Sequence, residues 1–470
     1  MSRPGLIACA AWLLLLLDVT STPVMAHPVR AAPVSDAEIA RLLRFRAEMQ
    51  HQATGMVVGV IRASGSSVVA YGPTDRKGAR KMAGDTIFEI ASLSKIFTDL
   101  LLADAVVRGQ AALDDRLAAY VPAGVSVPEF EGTAIVLADL ATHTSGLPLR
   151  PDNLDALPDA PDKYAGYTLD QLYAGLPNYK LTRPPGAKFE YSNVAVSLLG
   201  HGLALRQHTT YAELLHARIT GPLGLADTRL GVDPAAGDRL AQGHDIDLKP
   251  VGPTDDGALD PAGGLKSTAN DLLRFLGVFL DRGNGELPTA ARLMLTVDRP
   301  GDDKDTRMVL GWRRAVIGGE TFYWSNGSGD GSRTFMGFNP ATGIAVVALA
   351  DASSAEGLDD IGRHVLDPAL PIDGAIPTVH HEIRLSATAT DRLLGTYQYA
   401  PDDKLVIERG LTGLIVGNSQ GQFVIYPETP TRFFAKIGDL VFDFAPAASG
   451  PSPSVVLRQD GQSFTYKRAP

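Results

Sequence analysis

Two residues of this chain have the types and spacing that nucleophilic catalysis requires. In Ala91-Ser-Leu-Ser-Lys95, Ser92 and Lys95 stand three positions apart, so a helix places both side chains on one face. The apolar periodicity that follows predicts a helix ending at Gly109 with Ser92 in its first turn, where free N–H groups stabilise negative charge. A lysine amine with a lowered pKa can take the hydroxyl proton. The motif predicts acyl transfer, although such a match also occurs as a solvated turn.

A second polar segment, Tyr191-Ser-Asn193, directly precedes an apolar helix predicted over Val194–Leu205. If the backbone is extended there, Tyr191 and Asn193 face the same side, because alternate residues of an extended chain do so. Tyr191 could then exchange protons with Ser92, and Asn193 could bind a substrate amide or carbonyl. The alternative is a loop tyrosine that packs on the helix.

His143 lies in the tight polar segment Leu140-Ala-Thr-His-Thr-Ser-Gly-Leu147. It is a candidate general base with Asp139 as the carboxylate that orients it. We favour the alternative, in which hydrogen bonds hold this histidine in a turn beneath the site.

The elements before Ser92 predict an α+β arrangement. Ser35-Asp-Ala-Glu38 has the pattern of a capping box that opens an amphipathic helix. The β-branched runs Gly55–Arg62 and Ser66–Tyr71 predict a hairpin, and Thr86–Ile90 predicts a short strand leading to Ser92. Residues 110–320 are rich in helix signals, which predicts a helical subdomain beside the sheet. Further along the chain, a hairpin with strands Phe335–Gly337 and Ile344–Leu349 and a helix Ser354–Val365 close the domain.

The first 26 residues have the pattern of a secretory signal: Arg3, the apolar core Leu6–Leu17 and the small-residue site Val24-Met-Ala26. The core is too short to span a membrane comfortably. Cys9 is the only cysteine, so cleavage near Ala26 leaves no disulfide, thiol or cysteine metal site. Lipidation of Cys9 is not expected because it precedes most of the apolar core. We expect a periplasmic or secreted protein with no membrane span in the mature chain.

Composition limits the remaining function classes. The chain has 470 residues, 45% of them hydrophobic, and a formal net charge of −10, which argues against nucleic acid as a partner. His380-His381 lacks the spacing of a zinc motif, so we expect no metal and no cofactor. The length predicts a large domain plus a smaller one, and the oligomeric state stays open.

After residue 385 the sequence pattern changes: short runs of alternating apolar and polar residues are separated by turns such as Asn418-Ser-Gln-Gly421 and Asp460-Gly461. This pattern predicts a small antiparallel β-barrel. A scaffold or lid is the favoured role, and a ligand-holding barrel is the alternative. The predicted strands are Leu394–Tyr399, Lys404–Arg409, Leu414–Gly417, Gln422–Tyr426, Thr431–Ala435, Leu440–Phe444, Val455–Arg458 and Phe464–Lys467.

Short sequence motifs across residues 36–366 match those of one known family, and they occur in the same order. They are Ser92-Leu-Ser-Lys95, Leu140-Ala-Thr-His-Thr-Ser-Gly-Leu147, Tyr191-Ser-Asn193, Gly221-Pro-Leu-Gly-Leu225, Gly263-Gly-Leu-Lys-Ser-Thr268 and Gly337-Phe-Asn-Pro340. The chain resembles penicillin-binding serine hydrolases related to class C β-lactamases. Its first half is most similar to periplasmic D-alanyl-D-alanine carboxypeptidase/endopeptidases, and its end resembles their appended lipocalin-like domain. The resemblance implies an antiparallel sheet flanked by helices, of the β-lactamase/transpeptidase type.

The resemblance also implies roles. Ser92 would be the acylated nucleophile, Lys95 and Tyr191 would share the acid–base work, and Asn193 would orient the acyl part of the substrate. The backbone N–H groups of Ser92 and Ser328 would form the oxyanion hole.

The third motif of the family is Lys-Thr-Gly or His-x-Gly, and in this chain it is Ser325-Asn326-Gly327. Gly327 would keep this strand open to substrate. The usual cation pairs with a D-Ala or β-lactam carboxylate, and Ser325 has no charge. Arg333 is a candidate replacement, because guanidinium binds carboxylate well. The alternative is an arginine that points outward from a strand edge, which would favour neutral esters or amides as substrates.

Three functions follow for a small-molecule or peptide substrate. The first is a D-Ala-D-Ala-type peptidase or β-lactamase-like enzyme; the second is an esterase or transacylase; the third is a non-catalytic binding protein. The predicted organisation is a signal at 1–26, a hydrolase domain at 27–366, a linker at 367–384 and the barrel at 385–470.

Overall fold

The computed structural model describes residues 32–75, 80–156, 164–281, 285–354, 357–372, 382–400, 403–410, 413–418, 421–435, 440–447, 449–459 and 462–469. The predicted secretory signal with Cys9 lies outside the described residues, as do His380-His381 and the centres of both predicted barrel turns. In the described part, no helix is long and apolar enough to cross a membrane.

Helices and strands are interspersed as far as residue 366, whereas strands predominate after residue 394. The helices are α1 (Asp36–Arg44), α2 (Ser94–Val107), α3 (Leu137–Ala141), α4 (Leu169–Gly175), α5 (Asn193–Arg206), α6 (Tyr211–Leu215), α7 (Asp260–Gly263), α8 (Ala269–Phe279), α9 (Glu286–Met294), α10 (Asp359–Leu366) and α11 (Ala387–Asp391). The strands are β1 (Met56–Arg62), β2 (Gly65–Tyr71), β3 (Ile87–Glu89), β4 (Glu129–Phe130), β5 (Thr133–Ala134), β6 (Arg229–Leu230), β7 (Leu265–Thr268), β8 (Arg299–Pro300), β9 (Thr306–Met308), β10 (Arg313–Ile317), β11 (Glu320–Gly329), β12 (Ser332–Asn339), β13 (Ile344–Ala350), β14 (Gly395–Ala400), β15 (Asp403–Arg409), β16 (Leu414–Asn418), β17 (Gly421–Pro427), β18 (Arg432–Ala435), β19 (Leu440–Phe444), β20 (Ser454–Gln459) and β21 (Gln462–Arg468).

The central sheet is antiparallel and has eight strands in the order β2-β1-β13-β12-β11-β10-β9-β8. One face packs on α8, and the opposite face packs on α1 and α10. Because both faces are covered, β1 is buried from Met56 to Ile61 and reads as a continuous apolar run. Its alternate residues divide between the two cores: Val57 faces α8, and Val58 faces α1.

The N-terminal helix begins as its capping residue predicts. Ser35 Oγ accepts the Glu38 N–H at 3.2 Å, which satisfies one of the free donors of the first turn of α1. Ile39 and Leu43 are buried against the sheet, and the charged residues of α1 face away from it.

The C-terminal strands β14 to β21 form a closed barrel, and each observed strand lies within about two residues of its predicted bounds. The interior is filled by fully or nearly fully buried apolar side chains, among them Tyr397, Phe433, Phe442 and Phe444. This packing favours the scaffold role over a ligand-holding barrel. Closure leaves no strand edge exposed between β14 and β21.

The barrel contacts the rest of the chain at a loop that begins at Gly243. Tyr426 Oη on β17 donates to Asp247 Oδ1 in this loop at 2.6 Å. At the start of the loop, the backbone of Gly243 packs on Gly331 in the turn between β11 and β12. The barrel therefore supports the loop that lies against the third-motif hairpin.

One predicted helix begins later than the sequence indicates. The helix predicted from Ser354 starts at Asp359, because Gly357 has a φ of +60° that a right-handed helix cannot include. This shift places Asp359 in the first turn of α10.

Candidate active site

The candidate nucleophile sits at a sharp bend between a strand and a helix. Strand β3 ends at Glu89, and Ser92 lies in a short 3₁₀ segment, Ala91–Leu93, that precedes α2. Ala91 has a φ of +47°, a strained conformation for a residue with a Cβ. The prediction that Ser92 lies in the first turn of the α-helix is therefore corrected: Ser92 lies in the 3₁₀ segment that leads directly into α2, two residues before the α-helix begins.

Two side chains converge on the Ser92 hydroxyl. Lys95 Nζ lies 3.0 Å from Ser92 Oγ, and Tyr191 Oη donates to the same oxygen at 2.7 Å. Lys95 Nζ also lies over the face of the Tyr191 ring, 4.8 Å from the ring centroid. Lys95 is only 4% exposed, whereas Ser92 and Tyr191 are partly accessible. The arrangement places two proton-exchanging groups on one accessible nucleophile.

The main-chain oxygen of Ala262 fixes Lys95 from the other side. Lys95 Nζ donates to this oxygen at 2.7 Å, from the short helix α7. This partner could not be found from the sequence, because a backbone carbonyl contributes no residue type to a motif.

His143 supports Tyr191 from beneath. The two ring centroids are 4.3 Å apart, and the Ser192 N–H donates to His143 Nδ1 at 3.2 Å. Burial, with the positive charges of Lys95 and Arg313, holds the pKa of His143 well below its usual value, so the ring is a neutral acceptor. Asp139 instead accepts the Val136 N–H at 3.1 Å and caps α3. This geometry favours the turn interpretation of His143 over the general-base interpretation.

Asn193 begins α5, and the preceding Ser192 has the extended backbone that the alternation argument required. Ser192 Oγ accepts the Ala195 N–H at 2.9 Å and caps the helix. Asn193 Oδ1 is buried and has no hydrogen-bond partner among the described residues. A buried acceptor without a partner destabilises the folded protein, and a ligand N–H or O–H that donates to Asn193 Oδ1 would remove this penalty.

The third-motif strand lies directly against the Ser92 backbone. A Cβ at position 327 would lie 2.6 Å from Ile90 O and 3.1 Å from Ser92 N, so only glycine fits there. Thr334 Oγ1 donates to the same Ile90 carbonyl at 3.0 Å and ties β12 to the bend. This approach places β11 directly beside the Ser92 amide nitrogen.

The two faces of β11 carry different third-motif residues. Ser325 is buried and shares its face with Tyr323, which packs in the α8 core. Asn326 is on the α10 face, where its Nδ2 donates to Asp359 Oδ2 at 2.6 Å. Asp359 could not be found from the sequence, because only the fold brings α10 to this strand.

Arg333 lies directly across from Ser328 in the β11–β12 register, so it shares the α10 face with Ser328 and Asn326. It therefore does not occupy the position of the missing cation at Ser325. Its Nη1 donates to the carbonyls of Gly329 and Ser332, both at 3.2 Å. Burial lowers the pKa of Arg333, against the charges of Asp359 and Asp330.

A carboxyl group also lies beneath the site. Asp99 follows Lys95 by one helical turn, is 1% exposed, and has an Oδ1 without a hydrogen-bond partner among the described residues. Burial raises the pKa of Asp99 well above its usual value, and the charge of Lys95 only partly opposes the shift. No motif in the sequence marks this residue. Across the described residues, no group of His, Cys, Asp and Glu side chains is arranged to hold a metal ion.

Comparisons with known proteins agree with this architecture. The family model described as Beta-lactamase matches residues 39–368. The D-alanyl-D-alanine-carboxypeptidase/endopeptidase AmpH of Escherichia coli (strain K12) is 29% identical over 349 residues, covering 70% of this chain and 87% of that protein. The structure of a β-lactamase/D-alanine carboxypeptidase from Yersinia pestis complexed with citrate is 27% identical, with a TM-score of 0.59, covering 68% of this chain and 94% of that one. The structure of a class C β-lactamase from Rhodobacter sphaeroides, also 27% identical, has a TM-score of 0.57 and covers 67% and 94% of the two chains. The predicted fold class is confirmed.

Proposed function

Because the chain belongs to the β-lactamase family, we propose that it is an exported serine acyl hydrolase that forms an acyl-enzyme on Ser92. The observation that carries the proposal is the convergence of Lys95 Nζ and Tyr191 Oη on Ser92 Oγ, at 3.0 and 2.7 Å. A nucleophile within hydrogen-bond distance of its base is the signature of covalent catalysis.

In the proposed acylation step, Lys95 or Tyr191 takes the proton of Ser92 Oγ as that oxygen bonds to the substrate carbonyl carbon. The N–H groups of Ser92 and Ser328 stabilise the oxyanion of the tetrahedral intermediate. Collapse of the intermediate breaks the bond to the leaving group, which takes the proton back from the same pair. In the second step, water attacks the acyl carbon, the acid product leaves, and Ser92 recovers its hydroxyl.

For the substrate, we propose D-alanyl-D-alanine-type peptides or β-lactams. The similarity to AmpH supports this class. The uncharged Ser325 favours the alternative, an esterase or transacylase on neutral substrates. The contacts to Ser92 argue against a third function, a non-catalytic penicillin- or peptide-binding protein.

The test is an intact-mass spectrum of the protein after incubation with benzylpenicillin, beside a Ser92→Ala variant and with the remaining penicillin quantified. We expect either a penicilloyl adduct or loss of penicillin with the wild type only. An adduct or turnover that persists in Ser92→Ala would overturn the assignment of the nucleophile. If the wild type leaves penicillin intact and unbound, the carboxylate substrates are excluded, and neutral phenyl esters become the next assay.

The proposed export rests on the pattern of residues 1–26. N-terminal sequencing of protein recovered from the periplasm should begin at His27, and recovery of an uncleaved chain from the cytoplasm would contradict export.

A further inference from the structure

A carboxylate stands beside the third-motif strand, where the substrate's leaving group is expected. Asp359 Oδ2 accepts a hydrogen bond from Asn326 Nδ2 at 2.6 Å. Asn326 directly precedes Gly327, whose missing side chain lets the strand approach the Ser92 amide nitrogen. One amide group thus separates the Asp359 charge from the strand that would bind the substrate.

Three arginines lie on the elements near Asp359: α10, β10 and β12. Arg363, one turn further along α10, lies 3.6 Å from Asp359 Oδ2, and Arg313 on β10 forms a salt bridge with Asp302 at 2.7 Å. Arg333 on β12 forms no salt bridge among the described residues and donates only to backbone carbonyls. Two opposite charges of this face would therefore act on a bound anion: Arg333 attracts the anion, and Asp359, although paired with Arg363, repels it.

We propose that Asp359 is a specificity-determining residue that selects against acyl donors with a carboxylate on the leaving group, whereas Arg333 selects for them. The proposal rests on the proposed acyl-transfer function at Ser92. A substrate carboxylate at this strand would compete with Asp359 for the Asn326 amide and for Arg333. Because two carboxylates would then share one partly desolvated region, their repulsion lowers the rate with anionic donors relative to neutral ones.

The experiment uses a matched pair of acyl donors: the meta-carboxyphenyl ester of an N-acylglycine and its meta-carbamoylphenyl isostere. The measured quantity is the ratio of kcat/KM for the anionic ester to that for the neutral ester. Asp359→Asn keeps an acceptor for Asn326 and removes the charge, so we expect the ratio to rise about tenfold. Arg333→Gln should lower the ratio by a similar factor.

Asp367→Asn is the control for net charge. Asp367 follows α10, eight residues after Asp359 and about 12 Å further along the helix axis. Asp367→Asn changes the net charge by the same amount as Asp359→Asn, so its ratio of kcat/KM for the two esters should stay within twofold of the wild-type ratio. Asp359→Ser, also neutral and compatible with the start of a helix, replaces Asp359→Asn if that variant does not fold.

The pH dependence gives a second readout. Burial raises the pKa of Asp359, opposed by Asn326 on β11, Arg313 on β10 and Arg363 on α10. As pH rises and Asp359 ionises, the wild-type ratio should fall, whereas the Asp359→Asn ratio should stay flat. An unchanged ratio in Asp359→Asn, with hydrolysis still dependent on Ser92, overturns the specificity proposal and leaves the proposed function standing. Hydrolysis of both esters by Ser92→Ala overturns the proposed function itself.

Discussion

The Ser92 site and the C-terminal barrel are both built on antiparallel strands around a buried interior. They differ in whether their buried polar groups have hydrogen-bond partners and in the strain of their backbones. At the site, Asp99 and Asn193 each bury an oxygen without a hydrogen-bond partner among the described residues, and Ala91 and His143 have positive φ. In the described part of the barrel, every residue with positive φ is a glycine. The hydroxyl of its fully buried Tyr397 has a partner, because Oη donates to Leu393 O at 2.9 Å.

The Ser92 site therefore contains features that destabilise the fold, whereas the barrel interior contains packing that stabilises it. A strained residue or an unpaired buried acceptor costs on the order of 1–3 kcal/mol, so the Ser92 site is expensive to maintain. The barrel has none of these features in its described interior and is packed with aromatic side chains. We infer that the barrel contributes mainly stability, whereas the Ser92 site leaves the Asn193 acceptor for a ligand donor.

Removal of one hydroxyl from each region gives the largest expected contrast. Tyr191→Phe deletes the group that donates to Ser92 Oγ, so kcat/KM for a turned-over acyl donor should fall about 10²- to 10⁴-fold. Tyr397→Phe deletes a hydroxyl in the barrel and should leave kcat/KM within twofold, at a cost of about 1 kcal/mol in stability. Steady-state kinetics and urea unfolding measure both. Equal activities of the two variants would remove Tyr191 from the acid–base assignment.

A cavity in the barrel should give the opposite pattern. Phe442 is fully buried, and Phe442→Ala should lower the free energy of unfolding by about 3–5 kcal/mol. The specific activity of the folded fraction should not change, because the side chain packs inside the barrel and not against the Ser92 site. Urea unfolding with parallel activity assays tests this, and a loss of kcat in fully folded protein would contradict the division of roles.

A smaller effect concerns the carboxyl beneath Lys95. The pKa of Asp99 is raised in the folded state, so the wild-type chain loses stability as pH rises from about 3.9, the usual aspartate pKa, toward the folded value. Asp99→Asn cannot ionise, so its stability relative to the wild type should increase as pH rises from 4 to 8. Thermal unfolding across this range measures the difference. A pH-independent difference would show that the pKa of Asp99 is not raised in the folded state, as when the charge of Lys95 holds the carboxyl as an ion.

The barrel was the most predictable part of the fold, because each strand alternates and is bounded by turn residues in its own sequence. The late start of α10 was not predictable, since it depends on the positive φ of Gly357 and not on helix propensity. The 3₁₀ bend at Ser92 is similar, because Ala91 adopts a conformation that its residue type disfavours and the surrounding packing imposes.

The candidate site also contains residues that could be predicted from the sequence and residues that could not. Ser92 and Lys95 were predicted from side-chain type and short spacing, and Tyr191 was assigned through the family resemblance. The fold places Lys95 and Tyr191 within hydrogen-bond distance of Ser92. Ala262 and Asp359 were missed because each acts through tertiary contact, the first with a main-chain oxygen and the second across two elements. The sequence offered Arg333 as the replacement cation, but could not show which face of the sheet it occupies, because that depends on strand register.

The close approach at Gly327 has a genetic consequence. Every other amino acid carries a Cβ, and at this position that atom would lie 2.6 Å from Ile90 O and 3.1 Å from Ser92 N. Each missense change in codon 327 therefore pushes the strand away from the nucleophile, whatever the new residue's chemistry. A random mutagenesis screen for active clones should recover only silent substitutions at this codon.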